Sequence, residues 1–330
     1  MGKRIGLGLY GSNGHQIHHQ LKDHPRLNLV GIAGFPEEAS EELTAQHPHA
    51  RVCASLAELL ALPDVEMVSL CSPLRSEQAA HAVEALEAGV HVYAEKPCAT
   101  TESDLDRIIE AAARTGKVFH AMAGTAFAQP YYAMRRLVSD GVIGEVVQVS
   151  AQKSYPYHDG RPTDEKVDGG LIAQNGVHAL RLVENVAGVR VEEIDAFETQ
   201  LGDPREQSDL KMAASMMARL ENGGVAAIVA NYLNPTGFGS WGNEMLRIFG
   251  TKGMLESVDG GARTHLVVGD EDRGEIDTSG PCPDWLGCVI AHVLDAKPMP
   301  LSLEEELHPT RIVLRAGAAA RARNAAAEEV

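Results

Sequence analysis

Short apolar runs alternate with amphipathic segments over the first third of the chain, and this alternation limits the possible folds more than any other feature. The runs read RIGLGL, LNLVGIAG, VEMVSLCS, VHVYAE and KVFHAMAG. Helix-capping residues such as Ser55 and Thr101 precede two of the segments between them, Gly116 ends the segment that Thr101 opens, and Gly89 ends another. Strands that alternate with helices of this length pair in parallel through right-handed crossovers. The sequence therefore predicts an α/β domain with a doubly wound parallel sheet.

A different pattern begins after about residue 123. A helix is predicted from about Leu171 to Ala187, and long strands joined by hairpin signals such as ENGG follow from Val191 to about Val268. Successive long strands with short turns indicate a large, open, mostly antiparallel sheet. Two further helices are predicted near Asp284–Ala296 and Leu303–Ala322. This part of the chain is predicted to be an α+β domain.

The length of the chain fits two domains, since 330 residues exceed what one ordinary hydrophobic core supports. We place a dinucleotide-binding domain at residues 1–123 and a domain for substrate binding and oligomerisation at residues 124–330. The last helix is free to pack back on the first domain. A sheet with one face uncovered by helices favours pairing between copies, so a homodimer or homotetramer formed through the open sheet is expected.

Charge and cysteine content limit the partners and the compartment. Lysine and arginine number 29 against 46 acidic residues, so the formal charge is −17. Such a surface repels nucleic acid and anionic membranes. The five cysteines are scattered, with no Cys-x-x-Cys pair, which indicates free thiols in a reducing compartment. No signal peptide and no apolar run of membrane length are found. We expect a cytoplasmic protein with no nucleic-acid or membrane partner.

A glycine-rich loop follows the first apolar run, where a parallel sheet binds a dinucleotide against the start of a helix. Its best register places Asn13 and Gln16 where the usual Gly-x-Gly-x-x-Gly pattern has its second and third glycines. Asparagine tolerates left-handed backbone, so the turn is expected to form. A glycine-rich turn without a ligand is the alternative. The predicted cofactor contacts in this loop are Gly11, Ser12, Asn13, Gly14, His15 and Gln16.

The histidines of this region, His15, His18 and His19, are predicted to face solvent rather than bind a metal, because no carboxylate or cysteine is spaced to complete a site.

The end of the second apolar run bears on the choice between NAD and NADP. Gly34 stands where an acidic residue usually binds the ribose hydroxyls, and Glu37 or Glu38 can substitute. No lysine or arginine follows until Arg51, so we expect NAD rather than NADP.

Lys96 ends a predicted strand and precedes a proline. A lysine at the carboxyl end of a parallel strand points into the crevice where such sheets bind ligands, and Pro97 ends the strand. A cis Lys96–Pro97 bond would turn the lysine sharply towards that crevice. The alternative is a surface lysine paired with Glu95.

Five segments resemble the Gfo/Idh/MocA family, which is named for glucose–fructose oxidoreductase, inositol dehydrogenase and a protein of rhizopine catabolism. They are VHVYAEKPCATTESDLDRIIEAAARTGKV, SDGVIGEVVQVSA, DGGLIAQNGVHAL, MLRIFGTKGMLE and PLSLEEELHPTRIVLRA. The resemblance implies a Rossmann domain that binds NAD and a second domain that binds a small polyhydroxylated substrate. It implies hydride transfer between nicotinamide and a ring carbon of a sugar or cyclitol.

The resemblance also implies roles for individual residues. Lys96 would hydrogen-bond the reacting hydroxyl and stabilise its developing charge, and His178 would take the proton as general base. The nicotinamide would lie against Ser72, Pro73, Glu95 and Lys96.

The sequence departs from the family pattern around the predicted base. Gln174, followed by Asn175, replaces the aspartate usually found four residues before His178, and Arg181 stands where an acid often follows. Glutamine can orient a histidine but cannot stabilise an imidazolium as a carboxylate does. The preceding Tyr- and His-containing loop offers a replacement acid–base group or the lining of a sugar pocket, and an ordinary solvent-exposed loop is the alternative. The predicted substrate contacts are Lys96, Tyr155, Tyr157, His158, Gln174, Asn175 and His178.

Three functions are consistent with these features. The first is an NAD-dependent dehydrogenase that acts on CH–OH groups of a sugar, glycoside or cyclitol. The second uses the same cofactor without net redox change, because transient oxidation of the ring permits elimination, epimerisation or glycoside cleavage. The third is a cofactor- or sugar-sensing regulatory protein that has lost its base. Retention of both Lys96 and His178 argues against the third.

Overall fold

A computed structural model describes residues 2–206 and 208–328. The chain divides into two compact units, each built on one sheet. The first unit comprises Met1–Ala123, Lys166–Asp168 and Trp285–Glu306, and the second comprises Gly124–Glu165, Gly169–Asp284 and Leu307–Val330. No helix within the described residues is both long and apolar enough to cross a membrane.

The first unit contains a six-stranded sheet in which every pair is parallel. The strands lie in the order β3-β2-β1-β4-β5-β6. Their bounds are β1 (Ile5–Tyr10), β2 (Leu27–Ala33), β3 (Arg51–Cys53), β4 (Met67–Leu70), β5 (His91–Ala94) and β6 (Phe119–Ala121). The chain order reverses between β1 and β4, and a doubly wound sheet binds ligands outside the carboxyl ends of its strands at such a point. The predicted parallel sheet is confirmed.

The α-helices begin and end largely where the sequence places them. Their bounds are α1 (Glu37–Gln46), α2 (Leu56–Leu60), α3 (Gln78–Glu87), α4 (Glu102–Thr115), α5 (Tyr131–Ser139), α6 (Glu165–Asp168), α7 (Val177–Arg181), α8 (Trp285–Asp295) and α9 (Leu303–Glu328). Helix α4 shows why: Oγ1 of Thr101 accepts a hydrogen bond from the backbone N–H of Asp104 at 3.1 Å, and Gly116 ends the helix at φ +66°.

The prediction that a helix follows the glycine-rich loop is wrong. The chain makes only one 3₁₀ turn there, over Ile17–Gln20. Asp23 then adopts a left-handed φ of 55°, and Pro25 follows, so the backbone leaves helical geometry before β2 begins. The loop therefore lacks a long helix behind it.

The second unit contains an eight-stranded sheet in the order β14-β13-β12-β11-β7-β10-β9-β8. The bounds are β7 (Val146–Ser154), β8 (Val191–Thr199), β9 (Ala213–Leu220), β10 (Val225–Asn231), β11 (Asn243–Gly250), β12 (Gly253–Val258), β13 (Arg263–Val268) and β14 (Glu271–Gly274). Neighbours are antiparallel except β7 and β10, which are parallel. The predicted mostly antiparallel sheet is confirmed.

The helical segment predicted from Leu171 to Ala187 is not a regular α-helix. Two π-helical turns, Ile172–Gly176 and Leu182–Val186, flank α7. The segment packs closely, since a β carbon on Gly176 would lie 3.3 Å from Cε of Met216 on β9. Such π turns occur frequently at functional sites.

Candidate functional site

The glycine-rich loop lies against the carboxyl ends of β4 and β5. Gly11 has φ +70°, and a β carbon there would lie 2.2 Å from the carbonyl oxygen of Cys71. Gly14 has φ +109°, and its β carbon would lie 2.6 Å from Oε1 of Glu95. Both the left-handed backbone and the close approach require glycine. The two glycines therefore let the loop pack directly on the residues that follow β4 and β5, at the edge where parallel sheets bind dinucleotides.

Asn13 supports this loop through its side chain. Its backbone is not left-handed, so the expected reason for tolerating asparagine is wrong. Instead Nδ2 donates to the carbonyl oxygens of Pro73 at 3.1 Å and Val167 at 2.6 Å. Nη2 of the buried Arg75 donates to the carbonyl oxygen of Asn13 at 2.7 Å. The sequence gives Arg75 no recognisable role, because only the folded loop brings it to Asn13.

Gln16 is buried and stabilises the loop through hydrogen bonds of its side-chain amide. Its Nε2 donates to the carbonyl oxygen of Gly11 at 2.9 Å, and its Oε1 accepts from Oγ of Ser69 at 2.6 Å. Because both amide atoms are bonded within the protein, a supporting role fits Gln16 better than direct cofactor contact. Ser12 and His15 are exposed on the same loop and remain predicted contacts.

Glu95 is a buried charge at the end of β5. Burial alone would raise the pKa of its carboxyl, but a 2.8 Å hydrogen bond with Nδ1 of His15 and the charges of Lys96 and Arg75 outweigh it. The pKa is lowered to about 2, so the carboxylate is ionised at neutral pH. Its Oε2 has no hydrogen-bond partner within residues 2–206 and 208–328. This buried oxygen belongs to the residue against which Gly14 of the glycine-rich loop packs.

Lys96 is only 2% exposed, which rules out the alternative of a surface lysine. The Lys96–Pro97 peptide is cis, as hypothesised. Gln78, the first residue of α3, holds the backbone on both sides of Lys96, because its Nε2 donates to the carbonyl oxygens of Glu95 at 2.5 Å and Pro97 at 3.2 Å. Oε1 of Gln78 accepts from the backbone N–H of Ser72 at 3.2 Å. No sequence motif identifies Gln78, since the contact spans two loops.

Ser72 and Pro73, the predicted nicotinamide contacts after β4, differ in exposure. Ser72 is buried and shares a 3.0 Å hydrogen bond with Nδ1 of His81, whereas Pro73 is exposed. Pro73 also touches the glycine loop, since its Cδ lies 3.2 Å from the β-carbon position of Gly11. The structure thus brings together the predicted cofactor contacts of the first unit.

In the second unit, His178 lies on α7 and is half-buried. Its Nδ1 shares a 3.2 Å hydrogen bond with Oγ1 of Thr125. A hydroxyl can orient the imidazole, but it both donates and accepts, so unlike a carboxylate it does not fix the tautomer, and it brings no compensating charge. Thr125 was missed because it lies 53 residues away in sequence, on the short turn Gly124–Phe127.

The residues around His178 divide into accessible and supporting groups. Oε1 of the half-buried Gln174 accepts from the hydroxyl of Tyr232 at 3.4 Å. Asn175 is fully buried, and its Nδ2 donates to the carbonyl oxygen of Asn231 at 2.9 Å. Asn175 therefore joins the helical segment to β10, and a direct substrate contact is less suited to it. Arg181 is also fully buried.

The Tyr- and His-containing loop after β7 contributes aromatic rings. Tyr155 is buried, and its ring lies 6.3 Å from that of His178 in a T-shaped arrangement. His158 is exposed, and Tyr157 donates a 3.2 Å hydrogen bond to Oδ1 of Asp159. Trp241, which was not predicted, lies 6.2 Å from Tyr155 and 5.8 Å from His158 between ring centroids. The one signal for it in the sequence is that so large an apolar residue stands in a glycine-containing loop, between Gly239 and Gly242.

Across the described part of the chain, no three His, Cys, Asp or Glu side chains are grouped so that they could hold a metal ion. The donor set offers charges and hydrogen bonds: an ammonium and a carboxylate in the first unit, and an imidazole held by a hydroxyl in the second. Such groups can stabilise an oxyanion and move a proton.

Comparison with known proteins gives a family match in each half of the chain. The profile described as "Oxidoreductase family, NAD-binding Rossmann fold" matches residues 5–123, and "GFO/IDH/MocA C-terminal domain" matches residues 131–256. The 1-carboxy-3-chloro-3,4-dihydroxycyclohexa-1,5-diene dehydrogenase of Comamonas testosteroni is 28% identical over 247 residues, covering 71% of this chain and 61% of that protein. Myo-inositol 2-dehydrogenase of Thermotoga maritima is 25% identical over 278 residues, covering 82% and 79%.

Among solved structures, an oxidoreductase domain protein from Kribbella flavida shares the fold with a TM-score of 0.83 at 20% identity, and the match covers 98% of each chain. The two profiles together match more than half of the sequence, one on each sheet. The chain therefore belongs to the Gfo/Idh/MocA family of oxidoreductases, with an NAD-binding Rossmann domain.

Proposed function

We propose that the protein is an NAD-dependent dehydrogenase that transfers a hydride between nicotinamide and a ring carbon of a sugar, glycoside or cyclitol. The observation that carries this proposal is the buried Glu95–Lys96 pair, which ends β5 beside two glycines that have no room for a β carbon. Two relatives, named as an inositol dehydrogenase and a dehydrogenase of a dihydroxylated carbocycle, support the substrate class.

A nicotinamide dinucleotide fits the residues of the first unit. The glycine-rich loop, which Gly11 and Gly14 allow to pack on the ends of β4 and β5, would present its backbone to the phosphates, and the exposed Ser12 lies on the same loop. Glu37 and Glu38 form the acidic first turn of α1, directly after β2, and would favour ribose hydroxyls over a 2′-phosphate. We therefore propose NAD rather than NADP. When bound, the cofactor supplies the acceptor or donor of the hydride.

The chain's own residues would manage charge and protons. Lys96 would donate a hydrogen bond to the substrate oxygen and stabilise negative charge as that oxygen becomes a carbonyl. Were Nδ1–H of His178 to donate to Thr125, the lone pair of the imidazole would lie on Nε2, and this nitrogen would take the hydroxyl proton. Gln174 and the loop from Tyr155 to His158 would contact the remaining hydroxyls.

Replacing the ammonium tests the proposal. In Lys96→Ala we expect kcat to fall about 10²–10³-fold, the size of effect of one preorganised donor, with folding intact. The measurement is NADH formation from NAD over a panel of sugars, methyl glycosides and inositols. Lys22→Ala removes an exposed lysine of the same unit and serves as the matched control. Full activity of Lys96→Ala on an identified substrate would refute the assignment.

The same assay separates the other candidate functions. One NADH formed per product is the expected result. Product formed without accumulation of NADH would instead indicate redox-neutral chemistry, and NAD binding without turnover across the panel would indicate a sensing protein.

A further inference from the structure

Four aromatic side chains form a continuous row in the second unit, here called the aromatic row: His178, Tyr155, Trp241 and His158. Neighbouring ring centroids are 6.3, 6.2 and 5.8 Å apart in that order. The row starts at the proposed base and ends on an exposed loop. Of its four members, Trp241 has no part in the chemistry proposed above.

The two central rings differ in what they can offer a ligand. Tyr155 is 8% exposed, and Nζ of Lys153 lies 4.6 Å from its ring centroid, so protein groups cover it. Trp241 is 59% exposed, although a tryptophan normally buries most of its large apolar surface. The indole therefore presents an open aromatic surface backed by a packed ring.

The exposed indole is held in place rather than left on a loose loop. Nδ2 of the buried Asn234 donates to the carbonyl oxygens of Ser240 at 2.9 Å and Trp241 at 3.2 Å. The backbone N–H of Asn234 donates to the carbonyl oxygen of Tyr155 at 3.0 Å. One residue thus joins the backbones that carry both rings. Binding surfaces are commonly preorganised in this way by a supporting hydrogen bond.

We infer that Trp241 stacks on a second ring of the substrate, so that the preferred substrate is a two-ring glycoside rather than a free monosaccharide or a single cyclitol. This inference rests on the proposed function. The reacting ring would lie beside His178, and the second ring would lie over the indole, two members along the aromatic row. An apolar ring face packs well on an indole, and open aromatic surface is what such a face recognises.

Matched ligand pairs test the inference: D-glucose with phenyl β-D-glucoside, D-galactose with phenyl β-D-galactoside, and D-mannose with phenyl α-D-mannoside. We expect at least one phenyl glycoside to have a lower KM than its parent sugar. Trp241→Ala should raise the KM of that glycoside about five- to tenfold, with kcat and the KM of the parent sugar little changed. Trp241→Phe should keep most of the preference. Phe238→Ala removes a nearby exposed ring outside the row and is the control.

Binding can be followed without turnover. The sequence has two tryptophans, and Trp285 is buried in the first unit, where its Nε1 donates to the carbonyl oxygen of Ala121 at 2.9 Å. In Trp285→Phe, fluorescence reports Trp241 alone, and the phenyl glycosides should change it at lower concentration than the parent sugars do. If that variant fails to fold, calorimetric titration of wild type and Trp241→Ala gives the same comparison.

The outcomes distinguish the two proposals. Equal affinity for both members of every pair, binding of neither, or an unchanged KM in Trp241→Ala overturns the role of Trp241. Loss of an oligomer in Trp241→Ala also overturns it, because the indole would then serve a subunit contact. Binding that depends on Trp241 but gives no NADH refutes the dehydrogenase assignment and leaves the ring-stacking inference standing.

Discussion

At the scale of single residues, the ionised Glu95, which is hydrogen-bonded to His15 of the glycine-rich loop, contributes to the free energy of unfolding. Burial opposes its ionisation, but His15, Lys96 and Arg75 hold the pKa at about 2, below the ordinary 4.5. The ionised carboxylate therefore stabilises the fold above about pH 4.5, and this contribution is lost as the pH falls towards 2. The interval between the two pKa values corresponds to at most about 3 kcal/mol.

Glu95→Gln should lower the free energy of unfolding at pH 7 and flatten its decline between about pH 4.5 and pH 2. Urea unfolding at a series of pH values measures both effects. Glu110→Gln, on the exposed side of α4, is the control. A Glu95→Gln protein that loses stability in acid as steeply as the wild type would contradict the argument.

At the scale of secondary-structure elements, α3 holds the backbone around Lys96, after β5, through Gln78. Gln78→Ala would leave the carbonyl oxygens on both sides of Lys96 without their donor, and each buried unsatisfied group costs about 1–3 kcal/mol. We expect kcat to fall about tenfold because Lys96 shifts, with a smaller change in KM. Steady-state kinetics beside Gln46→Ala, an exposed position on α1, checks this. Loss of stability with unchanged kcat would show that Gln78 is only structural.

The elements also show what the sequence could and could not predict. Local signals were sufficient where one residue decides a boundary, as Thr101 and Gly116 do for α4. They failed after the glycine loop, where Asp23 and Pro25 leave too few residues for a helix. The π turns around α7 were also not predicted, because a five-residue segment is too short for its hydrophobic periodicity to distinguish a π-helix from an α-helix.

The same limit applies to the candidate site. Lys96 and the glycines could be predicted because strand ends and tight turns have local signatures. The partners of the site could not, since Arg75, Gln78 and Thr125 act through contacts made only after the chain has folded. Trp241 gave no periodic signal because it lies in a loop.

At the scale of the whole molecule, one face of the second sheet is open and partly apolar. Met217 on β9 is 64% exposed, and Phe197 and Val225 on the neighbouring strands are exposed on the same face. We expect copies to associate through this face. Each copy carries a formal charge of −17, so association should strengthen as added salt screens repulsion.

Sedimentation velocity at low and high salt tests this expectation, with a dimer or tetramer as the predicted species. Met217→Lys should shift the protein towards monomer. Leu201→Lys, which changes an exposed apolar residue in the loop after β8, should not. A wild type that is monomeric at micromolar concentration in both buffers would rule the interface out.

The way the glycine loop is fastened has a consequence for how the enzyme would meet its coenzyme. Asn13, Gln16 and Arg75 hold the loop through bonds that the protein makes by itself. Binding of the dinucleotide would then order few additional backbone torsions of the loop. We therefore expect a high association rate constant, and little difference in amide hydrogen exchange of the loop between the free and the bound protein. The aromatic row of the second unit would then determine which substrate is oxidised.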